Sequence, residues 1–224
     1  MFIGHLGVGL ALKGADRRIN VGVLLFAALF LDFVLGALVL VGVEHVYIPG
    51  NYLQLRYLTF SFPYSHGLLA AFFWSALAGL ATRLIWPQNK RGRSRASWIV
   101  AAAVFSHFLA DLIEHVAEMP VAGAGSYKLG LGLWNHLYAA LALEAMLVAA
   151  GLVLYLKSAA GAGRIAKYGM VFFMILLSAL AIAGQAFSTV PPAPRTLAVT
   201  WLLQAIAVTG IALWLDRDRL AVRA

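Results

Sequence analysis

The stretch SHFLADLIEH, residues 106–115, lies inside a segment, residues 97–118, that is otherwise apolar enough to cross a membrane. On a helix, its two histidines and two carboxylates fall within one sector of roughly 100°. These side chains are His107, Asp111, Glu114 and His115. Because a charge that faces lipid costs about 3 kcal/mol or more, this polar stripe must face other protein.

The composition indicates an integral membrane protein. Of 224 residues, 62% are hydrophobic and 12% are charged, which is more apolar surface than a soluble core of this size needs. The chain has no cysteine, and this excludes disulfides, thiolate metal ligands and a cysteine nucleophile. We predict no nucleic-acid partner, because the position of the basic residues at membrane edges explains the net charge of +8.

The hydropathy pattern predicts about six transmembrane helices, since each span needs about 20 mainly apolar residues. The candidate spans are residues 21–43, 65–86, 97–118, 137–157, 169–189 and 196–215. Segment 2–12 would form a helix only about 18 Å long, so we expect an interfacial or re-entrant helix. It has no basic leader, which favours mature structure over a signal peptide. The predicted fold is an all-α polytopic membrane helical bundle, one domain over residues 1–224.

The basic residues predict the orientation of these spans. If the spans alternate in direction, fourteen of the 17 Lys and Arg residues lie on one side. Only Arg56, Lys128 and Arg195 lie on the other. The positive-inside rule therefore places the basic side and the carboxyl terminus in the cytoplasm. We interpret the run NKRGRSR, residues 89–95, as part of this topological signal.

Histidines and carboxylates recur at one predicted depth, in the middle-to-outer half of the bilayer. Imidazole and carboxylate together suit Zn, Mn or Fe, and the i, i+4 spacing of His107 and Asp111 puts two ligands on one helix face. The candidate metal ligands are His5, Asp32, His66, His107, Asp111, His115 and His136. A buried polar network that fixes helix packing, or a proton path, is the alternative interpretation.

Two loops on the outer side have distinctive compositions. Residues 44–64 are rich in Tyr and Phe, which suits an interfacial aromatic belt or a lid. Residues 119–134 are rich in Gly and could close over a site. We expect an ordinary interfacial role for the adjacent pair Glu44 and His45.

Several short motifs resemble a bacterial family, the predicted membrane-bound metal-dependent hydrolases, also called LexA-binding inner-membrane-associated hydrolases. The family pattern runs GH, P-D-x-D-H, H-R-G-x-T-H-S and S-H-x-x-x-D. The matching residues are His5, Asp32, Ser65 with His66, and Ser106 with His107 and Asp111. The chain departs from the pattern at L-D-F-V-L, residues 31–35, and at Ser61, where the family has a histidine. The resemblance implies the bacterial inner membrane as the location.

These observations predict a membrane-embedded metal-dependent hydrolase that acts on an ester or phosphoester. A site at bilayer depth favours a lipid or lipid-linked substrate, which can enter sideways from the leaflet. We expect a divalent metal, Zn before Mn or Fe, with Asp111 or Glu144 as the catalytic carboxylate. The alternatives are a transporter or proton- or metal-conducting protein that uses the same groups, and a scaffold with a structural polar core.

Overall fold

A computed structural model describes residues 1–87, 89–158 and 163–217. Helices account for most of these residues, and the strands are two or three residues long. The helices are α1 (Phe2–Leu12), α2 (Val21–Ala28), α3 (Phe30–Leu40), α4 (Tyr52–Leu55), α5 (Leu68–Ile85), α6 (Lys90–Glu114), α7 (Leu137–Ser158), α8 (Arg164–Phe187) and α9 (Pro194–Leu215). The strands are β1 (His45–Tyr47), β2 (Thr59–Ser61), β3 (Met119–Pro120) and β4 (Lys128–Leu129), and a 3₁₀ turn spans Leu133–Asn135.

Five helices, α5 to α9, are long and apolar enough to cross a membrane, and the pair α2 and α3 supplies a sixth if it is one span. The protein is therefore a multi-pass, all-α membrane bundle, as predicted. The helix α6 begins at Lys90, within the basic run that the sequence placed in a loop. The Asn89 side chain accepts a hydrogen bond from the Gly92 amide, and this N-cap lets the helix begin before its apolar part.

The first predicted span, residues 21–43, is broken. The axes of α2 and α3 differ by 50° across Leu29, so this segment is a bent pair of helices. A helix end leaves carbonyls without intrahelical donors. The Ala28 carbonyl at this break lies 2.7 Å from Nδ1 of the His107 ring, which supplies a partner from another helix.

The short helix α1 lies inside the bundle, not at its surface. Ile3, Leu6 and Leu10 are fully buried, and α1 packs mainly against α7 and α2. The backbones of α1 and α7 touch at two glycines. A Cβ on Gly151 would clash with the Gly7 carbonyl oxygen, so only glycine fits at this crossing.

Short antiparallel hairpins cover one end of the bundle. β1 pairs with β2, and β3 pairs with β4. Gly130 allows the second hairpin to pack closely, since its φ is +146° and a Cβ there would clash with the Val116 carbonyl oxygen. Tyr57 and Phe60 of the first predicted loop and Trp134 of the second line the cavity described below.

A buried ion pair joins α1, α2 and α9 at the opposite end. Lys13 Nζ lies 2.6 Å from Asp216 Oδ2 and 2.6 Å from the Ile19 carbonyl oxygen. The same carboxylate accepts the Val21 amide at 2.8 Å. Lys13, which the sequence suggested as a membrane-edge charge, is therefore a buried structural cation. Arg219 and Arg223 of the predicted topological signal lie outside the described residues.

Candidate metal centre

Six side chains from three helices and one loop meet at the hairpin-covered end. His107 and Asp111 lie one turn apart on α6, and His115 caps the end of that helix. The other three are His5 on α1, Asp32 in the first turn of α3 and His66, just before α5. We call these six residues the His/Asp cluster. The sequence predicted every one of them as a metal ligand.

Three of these residues form a compact set of ligand atoms. Nε2 of His66 and Nε2 of His107 are 3.0 Å apart, and they lie 3.4 Å and 3.2 Å from Oδ2 of Asp111. Ligands bonded to a tetrahedral zinc ion at about 2.0–2.1 Å are separated by about 3.3 Å. The triangle formed by His66, His107 and Asp111 therefore has the size of one face of such a coordination sphere.

The outer nitrogens of both imidazoles are already bonded, which fixes their orientation. His107 Nδ1 donates to the Ala28 carbonyl at 2.7 Å. Ser65 Oγ donates to Glu44 Oε2 at 2.6 Å and lies 2.8 Å from His66 Nδ1, so it accepts the proton of that nitrogen. Both Nε2 atoms then present lone pairs to each other at 3.0 Å, and a cation between them would turn repulsion into coordination.

His115 has the same arrangement at a slightly greater distance. Its Nδ1 lies 2.7 Å from Glu118 Oε1, and its Nε2 points to Asp111 Oδ2 at 3.7 Å. Three imidazoles thus direct Nε2 toward one carboxylate while a second group holds Nδ1. Such outer partners are typical of histidines that bind metals.

His5 is buried against His107 without hydrogen bonds of good geometry. The two rings stack with centroids 3.6 Å apart, and His5 Nε2 lies 3.1 Å from Asp111 Oδ1. Neither ring nitrogen of His5 has a hydrogen-bond partner among the described residues. Ligand atoms of His5, Asp32 and His107 also lie within 4.8 Å of one another, and form a second group that could hold an ion.

Asp32 is the member of the cluster that opens to solvent. Its Oδ1 lies 3.6 Å from Nε2 of His66 and 3.6 Å from Nε2 of His107. Its side chain is 22% exposed, whereas those two histidines are at most 2% exposed. Asp32 can therefore complete a coordination sphere or face a molecule that enters the site.

Two glutamates lie beside the cluster. Glu144 is buried on α7, and its Oε2 accepts the Gly4 amide at 3.2 Å. Glu114 Oε2 accepts the Trp134 indole N–H at 2.9 Å, while its buried Oε1 has no hydrogen-bond partner among the described residues. The predicted catalytic residue Glu144 thus contacts the amino-terminal end of α1 at Gly4, the residue before His5.

His136 is the one predicted ligand that stands apart. It lies exposed just before α7 and belongs to neither group of candidate metal ligands in the described part of the chain. Its carbonyl accepts the Ala139 and Ala140 amides at the beginning of that helix. The residue therefore marks a helix start.

Glu44 belongs to the site, although the sequence suggested an ordinary interfacial role. It is fully buried and accepts the Tyr64 amide, the Ser65 amide and the Ser65 hydroxyl. Gly42, with φ of +75°, reverses the chain after α3 and returns Glu44 toward His66. The sequence feature that could have indicated this position of Glu44 is Gly42, a turn glycine two residues before the carboxylate. His45 is exposed, as expected for an interfacial residue.

Four residues of the cluster line a cavity of about 480 Å³. Its floor includes Asp32, His66, Asp111, His115 and Glu144. The remaining walls come from the loop 52–62, from α8 between Leu180 and Ser188, and from α9 between Leu197 and Gln204. A largely apolar pocket with a few converging polar groups is the usual form of a ligand site.

Comparison of the chain with protein-family models, with curated proteins and with solved structures finds no match to any of them. The geometry alone therefore supports a buried His and Asp site, at the base of a cavity, that could hold a metal ion.

Proposed function

We propose that the protein is a membrane-embedded metal-dependent hydrolase that cleaves an ester or phosphoester in a lipid or lipid-linked substrate. The observation that carries this proposal is the convergence of imidazole nitrogens and carboxylates on the floor of an otherwise largely apolar cavity. The hydrolase family that the SHxxxD motif resembles has the same predicted chemistry. An acyl chain would fit the apolar walls, while the polar floor would contact the bond to be broken.

A divalent ion, zinc before manganese or iron, fits the donor set. His66, His107 and Asp111 would hold it, with Asp32 or His115 as a further ligand. When bound, such an ion polarises the oxygen of the scissile group and lowers the pKa of water. The stacked and otherwise unbonded ring of His5 fits a second position beside the first.

Glu144 is our choice for the general base, because Asp111 is engaged by four histidines. In the proposed reaction the oxygen of a water molecule bonds to the carbonyl carbon or the phosphorus. One proton of that water passes to the Glu144 carboxylate. The bond to the leaving alkoxide oxygen breaks, and Glu144 returns the proton to that oxygen. The products are an alcohol and a carboxylic or phosphoric acid.

The test of the enzymatic role is Glu144→Gln, which keeps the shape of the side chain and removes its basicity. We expect hydrolysis of short-chain ester or phosphoester lipids to fall by about 10²-fold or more, while metal content falls at most partly. Asp16→Asn, at the opposite end of the bundle, removes the same charge and should leave activity intact. Full activity of Glu144→Gln would remove this residue from the mechanism and leave Asp111 as the base.

We place the protein in a bacterial inner membrane with the carboxyl terminus in the cytoplasm, so that the cavity opens on the other side. The distribution of Lys and Arg supports this orientation. The chain has no cysteine, so single cysteines can report it. Gly163→Cys should resist a membrane-impermeant thiol reagent in whole cells, and Ser126→Cys should react. If only the Gly163→Cys variant is labelled, the orientation is the reverse of the one proposed.

A transporter that moves protons or metal ions is the second candidate. The broken pair α2 and α3 favours it, since interrupted helices commonly form ion sites in transporters. In that case the protein in liposomes would show pH-dependent flux that is lost in Glu144→Gln, and neither form would hydrolyse lipid esters. Hydrolysis without flux would exclude the transporter.

A further inference from the structure

We propose that Arg56, Gln185 and Gln204, which line the same cavity as residues of the His/Asp cluster, form a binding site for the phosphate of an anionic lipid headgroup. This inference deepens the proposed function, on which it rests for the choice of a lipid substrate, and narrows the substrate class to phosphoesters. None of the three residues belongs to the predicted ligand set.

The first argument is the depth of two amide side chains in the membrane. Gln204 lies about 15 Å along α9 from Pro194, and Gln185 lies near the end of α8. An amide that faces lipid at the depth of Gln204 leaves its hydrogen bonds unmade. Both side chains instead line the cavity, so their partners are to be found inside it.

The second argument is that the amides lie on helix faces that belong to the cavity. On α9 the lining residues Leu197, Thr200, Trp201 and Gln204 are spaced as one helix face. Thr200 Oγ1 already donates to the Thr196 carbonyl, which leaves the Gln204 amide and the Trp201 indole N–H as the side-chain donors of this face. An apolar helix face that carries one amide suits a ligand with an apolar chain and a polar group.

The third argument is the charge of Arg56. It is the one Lys or Arg among the described residues that line the cavity. Its φ of +61° is the only positive value of a non-glycine residue in the described part of the chain, and its guanidinium donates to the Ser188 carbonyl at the end of α8. A guanidinium held in the lining of a pocket is suited to phosphate oxygens, which it binds with paired hydrogen bonds.

These groups together select a headgroup that is anionic and has several acceptor oxygens. A neutral ester would leave the Arg56 charge without a counter-charge from the ligand. A phosphate has acceptor oxygens enough for a guanidinium, for two amides and for the polar groups of the His/Asp cluster. The aromatic side chains of Tyr57, Trp134 and Trp201 supply apolar surface for the glycerol and acyl portions.

The test compares two lipids that differ only by the phosphate, dioctanoyl phosphatidic acid and dioctanoylglycerol. Binding to the purified, zinc-loaded full chain in detergent is measured by calorimetry. We expect the phosphatidic acid to bind at least about tenfold more tightly, and Arg56→Gln to remove at least about tenfold of that affinity. Gln185→Leu and Gln204→Leu should each weaken it by several-fold.

Matched controls separate the site from general electrostatics. Arg195→Gln removes the same charge from an exposed arginine near the same end of α9, and Gln54→Leu removes an exposed amide. Both should bind phosphatidic acid as the wild type does. Equal affinity for the two lipids, or equal losses in Arg56→Gln and Arg195→Gln, would overturn the inference.

A further arm with inorganic phosphate distinguishes a lipid headgroup from a free anion. Weaker binding than that of phosphatidic acid assigns the site to the lipid, and equal binding overturns the lipid assignment. Because the readout is binding, hydrolysis is judged separately. A chain that cleaves neutral ester lipids without preference for phosphate keeps the proposed function and loses this inference. If the protein binds phosphatidic acid through Arg56 but hydrolyses no lipid, the phosphate site stands and the proposed hydrolase function is refuted.

Discussion

The Lys13–Asp216 pair and the His/Asp cluster are both buried groups of ionisable side chains, at opposite ends of the bundle. In the first, one cation meets one anion at 2.6 Å, and backbone groups complete the arrangement. In the second, imidazole nitrogens and carboxylate oxygens crowd together, and His5 lacks hydrogen bonds of good geometry. A close pair of opposite charges with backbone partners is typical of a structural ion pair, whereas imidazole nitrogens and carboxylates that converge on one point are typical of a metal site.

Removal of a central ligand should have the largest effect. Asp111→Asn keeps the side-chain shape but removes the charge shared by the histidines, so we expect the bound divalent metal to fall from about one ion per chain to under a tenth. Elemental analysis after chelator-free purification measures this. His136→Asn, a histidine outside the cluster, should retain the metal. If the wild-type protein contains no metal, the His/Asp cluster is a structural network like the Lys13–Asp216 pair, and the two groups do not differ in function.

Breaking the ion pair should affect folding and leave metal binding unchanged. Lys13→Met leaves the Asp216 carboxylate buried without its ammonium partner, and we expect a loss of about 3–5 kcal/mol in unfolding free energy. In the double variant Lys13→Met with Asp216→Asn both charges are gone, so most stability should return. Thermal unfolding in detergent gives the stability, and elemental analysis the metal content. Loss of metal in the single variant at retained fold would contradict the separation.

Substitutions in the hydrogen-bonded chain Glu44–Ser65–His66 should have an intermediate effect, on metal affinity. Glu44→Gln weakens the group that orients His66, and such outer partners typically contribute about 10- to 100-fold to metal affinity. Competition with a chelator of known affinity measures the change. Ser65→Ala should lower metal affinity as much as Glu44→Gln does. The double variant should lose no more affinity than either single variant, since both substitutions act through His66 Nδ1. His45→Gln serves as the neighbouring control, and an additive double variant would refute the chain.

The smallest effect concerns the partly buried pair of Asp16 and Arg18 beside the Lys13–Asp216 pair. A hydrogen bond from the Arg18 guanidinium lowers the pKa of Asp16. A lowered pKa means that the carboxylate adds stability above its ordinary pKa of 3.8, and that this contribution disappears as pH falls through the lowered value. Asp16→Asn should therefore cost under about 1 kcal/mol near pH 7 and nothing in strong acid. Unfolding between about pH 7 and 3 tests this, with Arg17→Gln as the control.

Much of the bundle was predictable because lipid allows few backbone solutions. Five long spans follow from apolar length alone, and the cluster members follow from the high cost of a polar side chain in lipid. The same reasoning placed His107 and Asp111 on one helix face, and the structure brings His66 and Asp32 to them.

Other features depended on contacts between distant segments. The break at Leu29 is coupled to the His107 ring on another helix, and no local sequence signal shows that bond. Glu44 reaches the site because the chain reverses at Gly42, while His136, at a similar expected depth, ends outside it. The sequence did not indicate that Gln185 and Gln204 line the cavity, since an amide in an apolar span costs less free energy than a charge and is a weaker signal of a site.

The contact between Gly7 and Gly151 has a consequence for biogenesis. The chain between them is long, so α1 leaves the ribosome well before α7, its main packing partner, is synthesised. At about 5–20 residues per second, that interval lasts roughly 10–30 s. During this time α1 is too short to be held as an ordinary span. The helix that carries His5 is thus synthesised well before its main packing partner, and completion of the cluster waits for the second half of the chain to enter the membrane.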